Sequence, residues 1–222
     1  MAKKPSQQLK AKLNLNLSDR ILITGLPKTG KTTLARALAA LAVPDLYIID
    51  PLSQYAAFDA FIGAGNRIVP EPGKEIETFE QLCFKLCSVP NKMLLLEECE
   101  DYLGQGLMLT PYAYKVVRQG RNWGIGIIGI TQRIPEVSKR YFDRCQHIFF
   151  FRPGIYSQDY IRERVGREKA AIIFHLSIDQ HEFLHYDVGA DTGNVYRLVV
   201  EGSKLELVEP ETSATPSSQT SI

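Results

Sequence analysis

The chain has 222 residues, of which 45% are apolar and 23% are charged, and its formal net charge is only +1. These values suit one globular domain of ordinary composition. No apolar run approaches the roughly 20 residues of a membrane-spanning helix, and residues 1–5 lack the apolar core of a signal peptide. We therefore expect a protein that is not secreted, located in the cytoplasm or in a particle assembled there.

Apolar runs and helical spacings alternate along the chain, after a lysine-bearing stretch over residues 1–16 that we expect to be a flexible basic arm. Strands are predicted over 20–24, 46–49, 67–69, 92–96, 124–130 and 146–151. Helices are predicted over 33–42, 55–62, 78–87, 110–122, 135–142, 157–165 and 167–175. A short β meander is predicted over 183–188, 195–200 and 205–208, followed by a disordered Ser/Thr/Pro-rich tail over 209–222.

Alternating strands and helices predict an α/β fold, a three-layer single domain over residues 17–208 with a mainly parallel central sheet and a C-terminal β meander. Ligands of such sheets bind beyond the carboxyl ends of the strands. The residues that directly follow the strands, among them Asp50, Glu97, Glu98 and Gln132, should therefore share one crevice with the loop after the first strand.

That loop fits G-x-x-x-x-G-K-[ST], the phosphate-binding P-loop. Glycines let backbone N–H groups approach phosphate oxygens, and the following helix directs its positive end at the same anion. We expect the motif to bind ATP and Mg²⁺, with Lys31 at the β- and γ-phosphates and the Thr32 hydroxyl at the metal. The predicted nucleotide-binding residues are Gly25, Leu26, Pro27, Lys28, Thr29, Gly30, Lys31, Thr32 and Thr33.

Two carboxylates, Glu97 and Glu98, end the apolar strand over 92–96, an arrangement that resembles a Walker B motif with an additional catalytic acid. Hydrolysis needs one acid for Mg²⁺ and another group that orients the attacking water. We predict Glu97 as a metal ligand, direct or through water, and Glu98 as the catalytic acid. The first acid is usually aspartate, so Glu97 departs from the pattern. The alternative is a surface or capping acid pair, and the nearby Glu100 and Asp101 are expected to be solvated.

Gln132 ends another apolar strand, where its amide is placed to sense the γ-phosphate or the attacking water; the alternative is a buried amide satisfied by the backbone. The stretch 119–124 between the acid pair and that strand contains Arg121. Arginine stabilises charge on a transferring phosphoryl group by bidentate donation. We predict Arg121 as a finger that reaches a neighbouring subunit's nucleotide, with Arg118 as the second candidate and a surface salt bridge as the alternative.

Charge is unevenly distributed along the chain. Residues 45–101 carry a net of −7, whereas residues 113–169 contain twelve Lys or Arg and five acids, a net of +7. Such asymmetry favours a polyanionic partner on one surface, against the alternative of a solvated mixed-charge face. The basic side chains that could contact phosphates are Lys139, Arg140, Arg144, Arg162, Arg164 and Arg167.

Taken together, the P-loop and the segments YIIDPLSQY, MLLLEE and RQGRNWGIGIIGITQR resemble the FtsK/HerA superfamily of P-loop ATPases, over roughly residues 18–152. The chain is similar in size to the genome-packaging ATPases of tailless icosahedral viruses with an internal membrane. The resemblance implies a RecA-like fold of the additional-strand, catalytic-glutamate class. It also implies a ring, usually a hexamer, that threads double-stranded DNA, location in the cytoplasm or a virion, and a capsid vertex or membrane protein as a further partner.

Two other functions use the same fold. A small-molecule or nucleotide kinase has a P-loop but generally lacks the pair of strand-end glutamates with a glutamine, and it needs a lid. A phage assembly ATPase that acts on protein would normally have a membrane segment. A GTPase is disfavoured because no N-K-x-D motif occurs.

Overall fold

The computed structural model describes residues 5–201 and 204–209. The predicted tail lies outside these ranges from residue 210 onward. None of the helices in the described ranges combines the length and the apolar character required to cross a bilayer.

A single nine-stranded sheet forms the centre of the protein, in the order β3-β2-β4-β5-β1-β6-β7-β8-β9. The first six strands in this order, from β3 at the edge to β6, run parallel. The last three, β7, β8 and β9, form an antiparallel meander that pairs with β6. The strands are β1 (Arg20–Thr24), β2 (Leu46–Ile49), β3 (Arg67–Ile68), β4 (Met93–Leu96), β5 (Gly126–Thr131), β6 (His147–Phe151), β7 (Glu182–Asp187), β8 (Thr192–Glu201) and β9 (Lys204–Val208). The predicted mainly parallel sheet and meander are thus confirmed.

Helices cover both faces of the sheet and complete the three layers. The helices are α1 (Pro5–Lys12), α2 (Lys31–Ala39), α3 (Glu75–Leu86), α4 (Glu100–Leu103), α5 (Pro111–Gln119), α6 (Lys139–Phe142), α7 (Gln158–Val165) and α8 (Arg167–His175). One buried apolar cluster joins α1 and α2 to one face of the sheet, and a second joins α3 to α8 to the other. Because both faces are covered, the parallel strands are continuous apolar runs rather than alternating ones.

The strand β5 lies between β1 and β4, and this position determines the geometry of the site. Leu22 of β1 pairs with Gly129 of β5, which in turn pairs with Leu96 of β4. The strand that precedes the P-loop is therefore separated by one inserted strand from the strand that ends in the two glutamates. This is the additional-strand arrangement that the resemblance implied, and it sets Gln132 between the two.

The predicted helix at 110 begins as expected, but a distant side chain caps it. The Glu80 carboxylate of α3 accepts the backbone N–H groups of Tyr112 (3.0 Å) and Ala113 (2.9 Å), and the Thr110 hydroxyl donates to the same carboxylate. Two of the unpaired donors at the start of α5 are satisfied in this way. The basic helix α5 is thereby fixed to the acidic helix α3.

Two sequence expectations are corrected. Residues 5–12, expected to belong to a flexible arm, form α1, and Leu9, Leu13 and Leu15 are buried in the α2 side of the core. The spacing of Leu9 and Leu13 places them on one helical face, a signal that the surrounding lysines obscured. The stretch 55–62, expected to be helical, contains only a 3₁₀ turn over Ala56–Phe58, because Asp50 holds the chain before it in a turn.

Candidate functional site

The predicted P-loop connects β1 to α2 and has the backbone of an anion-binding loop. Gly25, Lys28 and Gly30 have φ angles of 146°, 64° and 106°. A side chain at Gly25 would place its Cβ 2.6 Å from the Cβ of Phe151, so only glycine fits where the loop leaves the sheet. The Leu26 N–H donates to the Arg152 carbonyl (2.9 Å), which attaches the loop to the end of β6.

Lys31 begins α2 and is buried, with only 8% of its surface exposed. Its Nζ donates to the Leu26 carbonyl (2.7 Å), so the ammonium group lies inside the loop. Burial lowers the pKa of Lys31 to about 8, and the charges of Glu97 and Glu100 partly oppose this shift. A buried cation whose only hydrogen-bond partner among the described residues is one carbonyl of the loop is suited to bind a phosphate.

The Thr32 hydroxyl, predicted to ligate the metal, donates to the Gln54 side-chain oxygen (3.2 Å). Gln54 belongs to the turn after β2, which Asp50 organises. The fully buried Asp50 carboxylate accepts the backbone N–H groups of Gln54 (2.8 Å) and Tyr55 (2.9 Å) and pairs with Arg67 (3.2 Å). Asp50, expected in the crevice, therefore acts there by positioning Gln54 and Tyr55.

Glu97 directly follows β4 and is 5% exposed. Its Oε1 lies 3.5 Å from the hydroxyl of Tyr55, a fully buried side chain. The pKa of Glu97 is raised to about 7, mainly by burial; Lys31 opposes the increase, and nearby Asp50 and Glu98 contribute to it. A buried carboxylate with a raised pKa and few hydrogen bonds lacks a partner for its charge, and a divalent cation would supply that partner.

Glu98 is half-buried and has a φ of 49°, a left-handed conformation that few non-glycine residues adopt. The turn is held from the next residue, since the Cys99 N–H donates to the Ile130 carbonyl of β5 (2.8 Å). Strained residues fixed by their surroundings concentrate at functional sites. The left-handed conformation of Glu98 changes the direction of the chain, and the side chain of Glu98 is more exposed than that of Glu97.

Gln132 follows β5 at the same edge of the sheet and is exposed. Thr131, the residue before it, pairs with Thr24, the residue before the P-loop. The alternative of a buried amide satisfied by the backbone is therefore excluded. The structure thus brings Lys31, Thr32, Glu97 and Gln132 to the carboxyl ends of β1, β4 and β5.

Sequence reasoning missed three participants around this crevice. Gln54 and Tyr55 contact Thr32 and Glu97, and their signal was the end of the YIIDPLSQY segment. Glu100, expected to be solvated, is half-buried; burial raises its pKa, while a hydrogen bond from Thr131 opposes the rise. The cause is the short helix α4, which turns Glu100 back towards the sheet and leaves Asp101 exposed.

Arg121 lies away from this crevice. It is 48% exposed, and its Nη2 is 3.5 Å from Oδ1 of Asp19, the buried residue immediately before β1. The other carboxylate oxygen of Asp19 is 3.3 Å from His147 Nε2, and His147 Nδ1 is 3.0 Å from His185 Nε2. Arg121 therefore lies at the amino-terminal ends of the parallel strands, whereas the P-loop of the same subunit lies at their carboxyl ends.

The second candidate, Arg118, lies in the last turn of α5 and donates to the Tyr114 hydroxyl while its guanidinium lies 5.0 Å from the centre of that ring. Neither arginine is close to the P-loop of the same chain. Whether either acts on a neighbouring subunit stays a prediction.

No protein-family model and no curated protein matches the chain. Solved structures do match it. The genome packaging NTPase B204 of Sulfolobus turreted icosahedral virus 2, in complex with AMPPCP, has a TM-score of 0.66 at 20% identity, covering 82% of this chain and 98% of its own. Its sulfate complex has a TM-score of 0.70 at 19% identity, covering 84% and 99%. The conjugation coupling protein TcpA of pCW3, with ATPγS, has a TM-score of 0.55 at 15% identity, covering 88% and 60%.

The chain has the fold of the P-loop ATPases. The structures it is similar to include a viral DNA-packaging ATPase and a conjugation coupling protein. At these identities the likeness establishes the fold, and the suspected resemblance and the predicted α/β class are confirmed at that level.

Burial of Glu97 makes a testable prediction about stability. Because the folded-state pKa of about 7 lies above the ordinary value of 4.5, the charged carboxylate destabilises the fold fully above pH 7 and not at all below about pH 4. We expect Glu97→Gln to raise the free energy of unfolding by about 1–3 kcal/mol at pH 8 and by much less at pH 5. Urea unfolding at both pH values measures this.

The exposed Glu163 offers the matched control, since Glu163→Gln should change stability little at either pH. A loss of stability in Glu97→Gln at pH 8, or a gain that is larger at pH 5, would contradict the assignment.

Proposed function

We propose that this protein is an ATP-hydrolysing motor that translocates double-stranded DNA and packages a viral genome into a preformed capsid. The observation that carries the proposal is the convergence of Lys31, Thr32, Glu97 and Gln132 at the ends of three strands, with β5 inserted between the other two. Structures with the same fold bind ATP analogues, and several of them are structures of a genome packaging NTPase.

The residues divide the work of hydrolysis. The P-loop N–H groups and Lys31 bind the phosphates, and Thr32 and Glu97 would hold Mg²⁺, for which the hydroxyl and the buried carboxylate are suitable oxygen donors. When bound, the metal neutralises charge on the transferring phosphoryl group. Glu98, which is more exposed and fixed by its turn, accepts a proton from the attacking water, and the Gln132 amide orients that water.

Coupling to DNA depends on a basic groove between α5, α6 and the 104–109 loop. The groove encloses about 960 Å³ and is lined by four basic residues, Arg118, Lys139, Arg140 and Arg144. Neither Lys139 nor Arg140 has an ion pair within the described part of the chain. By contrast, Arg162 pairs with Asp159 (2.6 Å) and Arg164 pairs with Asp143 (2.9 Å). We therefore assign DNA phosphate contacts to the groove and not to Arg162 or Arg164.

The groove generates the test of the function. We expect double-stranded DNA to stimulate ATP hydrolysis by this protein at fixed salt, and Lys139→Ala with Arg140→Ala to remove most of that stimulation. The salt dependence of log affinity for DNA should also become shallower by about two units, because two phosphates are no longer neutralised by the protein. Turnover with and without DNA, and DNA binding across a salt series, measure both effects.

Arg162→Ala is the control, because its charge is already paired and stimulation should persist. A turnover rate indifferent to DNA would reject the motor and would favour a kinase or an ATPase that acts on protein.

The position of Arg121 at the opposite edge from its own P-loop supports a role between subunits of a ring. We expect Lys31→Ala and Arg121→Ala each to be nearly inactive alone. Mixed in equal amounts, they should regain about a quarter of wild-type turnover, because one interface in four joins an intact P-loop to an intact arginine.

The same mixture made with Arg118→Ala decides between the two arginines. A mixture of Lys31→Ala and Arg121→Ala that stays inactive would contradict action in trans, as would full activity of Arg121→Ala alone.

A further inference from the structure

The two sides of the P-loop differ in what they present. Gln132, Glu97 and Glu98 follow β5 and β4, which lie on one side of β1, whereas β6, β7 and β8 lie on the other. The scissile γ-phosphate must face the acids and the amide, because those groups act on the attacking water. The ribose and base form the opposite end of the same molecule. They must therefore extend towards the β6 side.

His181 lies at this side and packs directly against the loop. A Cβ added to Gly30 would be 3.4 Å from the Cβ of His181 and 3.0 Å from Cδ1 of Leu198. The His181 backbone is fixed by its N–H bond to the Ile178 carbonyl (3.0 Å) and by the Leu198 N–H, which donates to its carbonyl (3.3 Å). Its φ is 51°, and the residue is exposed. A strained, exposed histidine beside a P-loop glycine has the character of a ligand contact.

A second segment borders the loop on the same side. The Arg152 carbonyl accepts the Leu26 N–H (2.9 Å), and a Cβ added to Gly154 would lie 3.5 Å from Cδ2 of Leu26. The next two residues, Ile155 and Tyr156, are 73% and 96% exposed. An aromatic ring left almost wholly in water next to a phosphate loop has an apolar face available for stacking.

We propose that these two segments form the binding site for the nucleobase and ribose, which we call the base lip: Tyr156 and His181. The aromatic and imidazole rings offer flat surfaces for a base, and a His181 ring nitrogen can hydrogen-bond a sugar hydroxyl. The assignment rests on the proposed binding of a nucleoside triphosphate at the P-loop. It is independent of DNA translocation.

The test compares a ligand that has a base with one that lacks it. Binding of the β,γ-methylene analogue of ATP and of inorganic tripolyphosphate, both with Mg²⁺, is measured by calorimetry for His181→Ala and Tyr156→Ala. Base stacking on one ring corresponds to a change in Kd of about fivefold to a hundredfold. We expect a loss of that size for the ATP analogue and an unchanged Kd for tripolyphosphate.

Two further variants control for folding and for loss of an aromatic ring. His181→Asn keeps a residue that tolerates positive φ and a polar group, and should weaken the ATP analogue less than His181→Ala does. Phe61→Ala removes a ring that is 65% exposed on the segment after β2 and should change neither ligand's affinity.

Unchanged affinity for the ATP analogue in both alanine variants would overturn the base lip. Equal weakening of both ligands would also overturn it, because the segments would then support the shape of the P-loop. If the wild-type protein bound neither ligand, the P-loop site itself would fail and the base lip with it.

Discussion

The site depends on a buried cation at the start of α2, Lys31, and a buried carboxylate directly after β4, Glu97. Lys31 and Glu97 are 8% and 5% exposed. Burial lowers the pKa of Lys31 and raises the pKa of Glu97, so it favours the neutral form of each. The charge of each residue opposes the pKa shift of the other, but the effect of burial is larger at both residues. A triphosphate with its metal ion, the ligand that we propose, would offer an anion to Lys31 and a cation to Glu97. The energetic cost of keeping these two charges buried is therefore consistent with a site for such a ligand.

The inserted strand β5 determines how the candidate functional groups are arranged around the crevice. It separates the phosphate loop on β1 from the acids on β4 and places Gln132 between them. The Cys99–Ile130 backbone bond then fixes the turn that carries Glu98. Because the parallel strands all end at this side of the sheet, groups far apart in sequence lie around one crevice, whereas Arg121 pairs with Asp19 at the opposite ends of the strands.

The local sequence pattern was sufficient to predict the structure wherever the chain is uniformly apolar or contains a motif. The strands β1, β2, β4 and β6 are apolar runs bounded by polar residues, and the P-loop signature is contiguous, so their places could be predicted. The strand-end rule then located Glu97 and Gln132 at the same edge. The fold class and the meander followed from the alternation of elements.

Features that depend on contacts between distant segments could not be predicted in this way. The 3₁₀ turn after β2 exists because Asp50 captures two backbone N–H groups, and α1 is ordered because its leucines meet α2 and the sheet. Glu100 is drawn inward by α4, and His181 reaches Gly30 only because the meander folds back beside β6. In each case the local sequence does not determine the structure, which depends on the tertiary partner.

The most direct test of the central claim is to separate nucleotide binding from hydrolysis at Glu98. In Glu98→Gln the amide cannot accept a proton, so ATP should bind with wild-type affinity while turnover falls about a hundredfold or more. Equilibrium binding and steady-state hydrolysis on the same preparation measure both quantities. Turnover at the wild-type rate would contradict the account, because the carboxylate at the strained turn after β4 would then have no part in the chemistry.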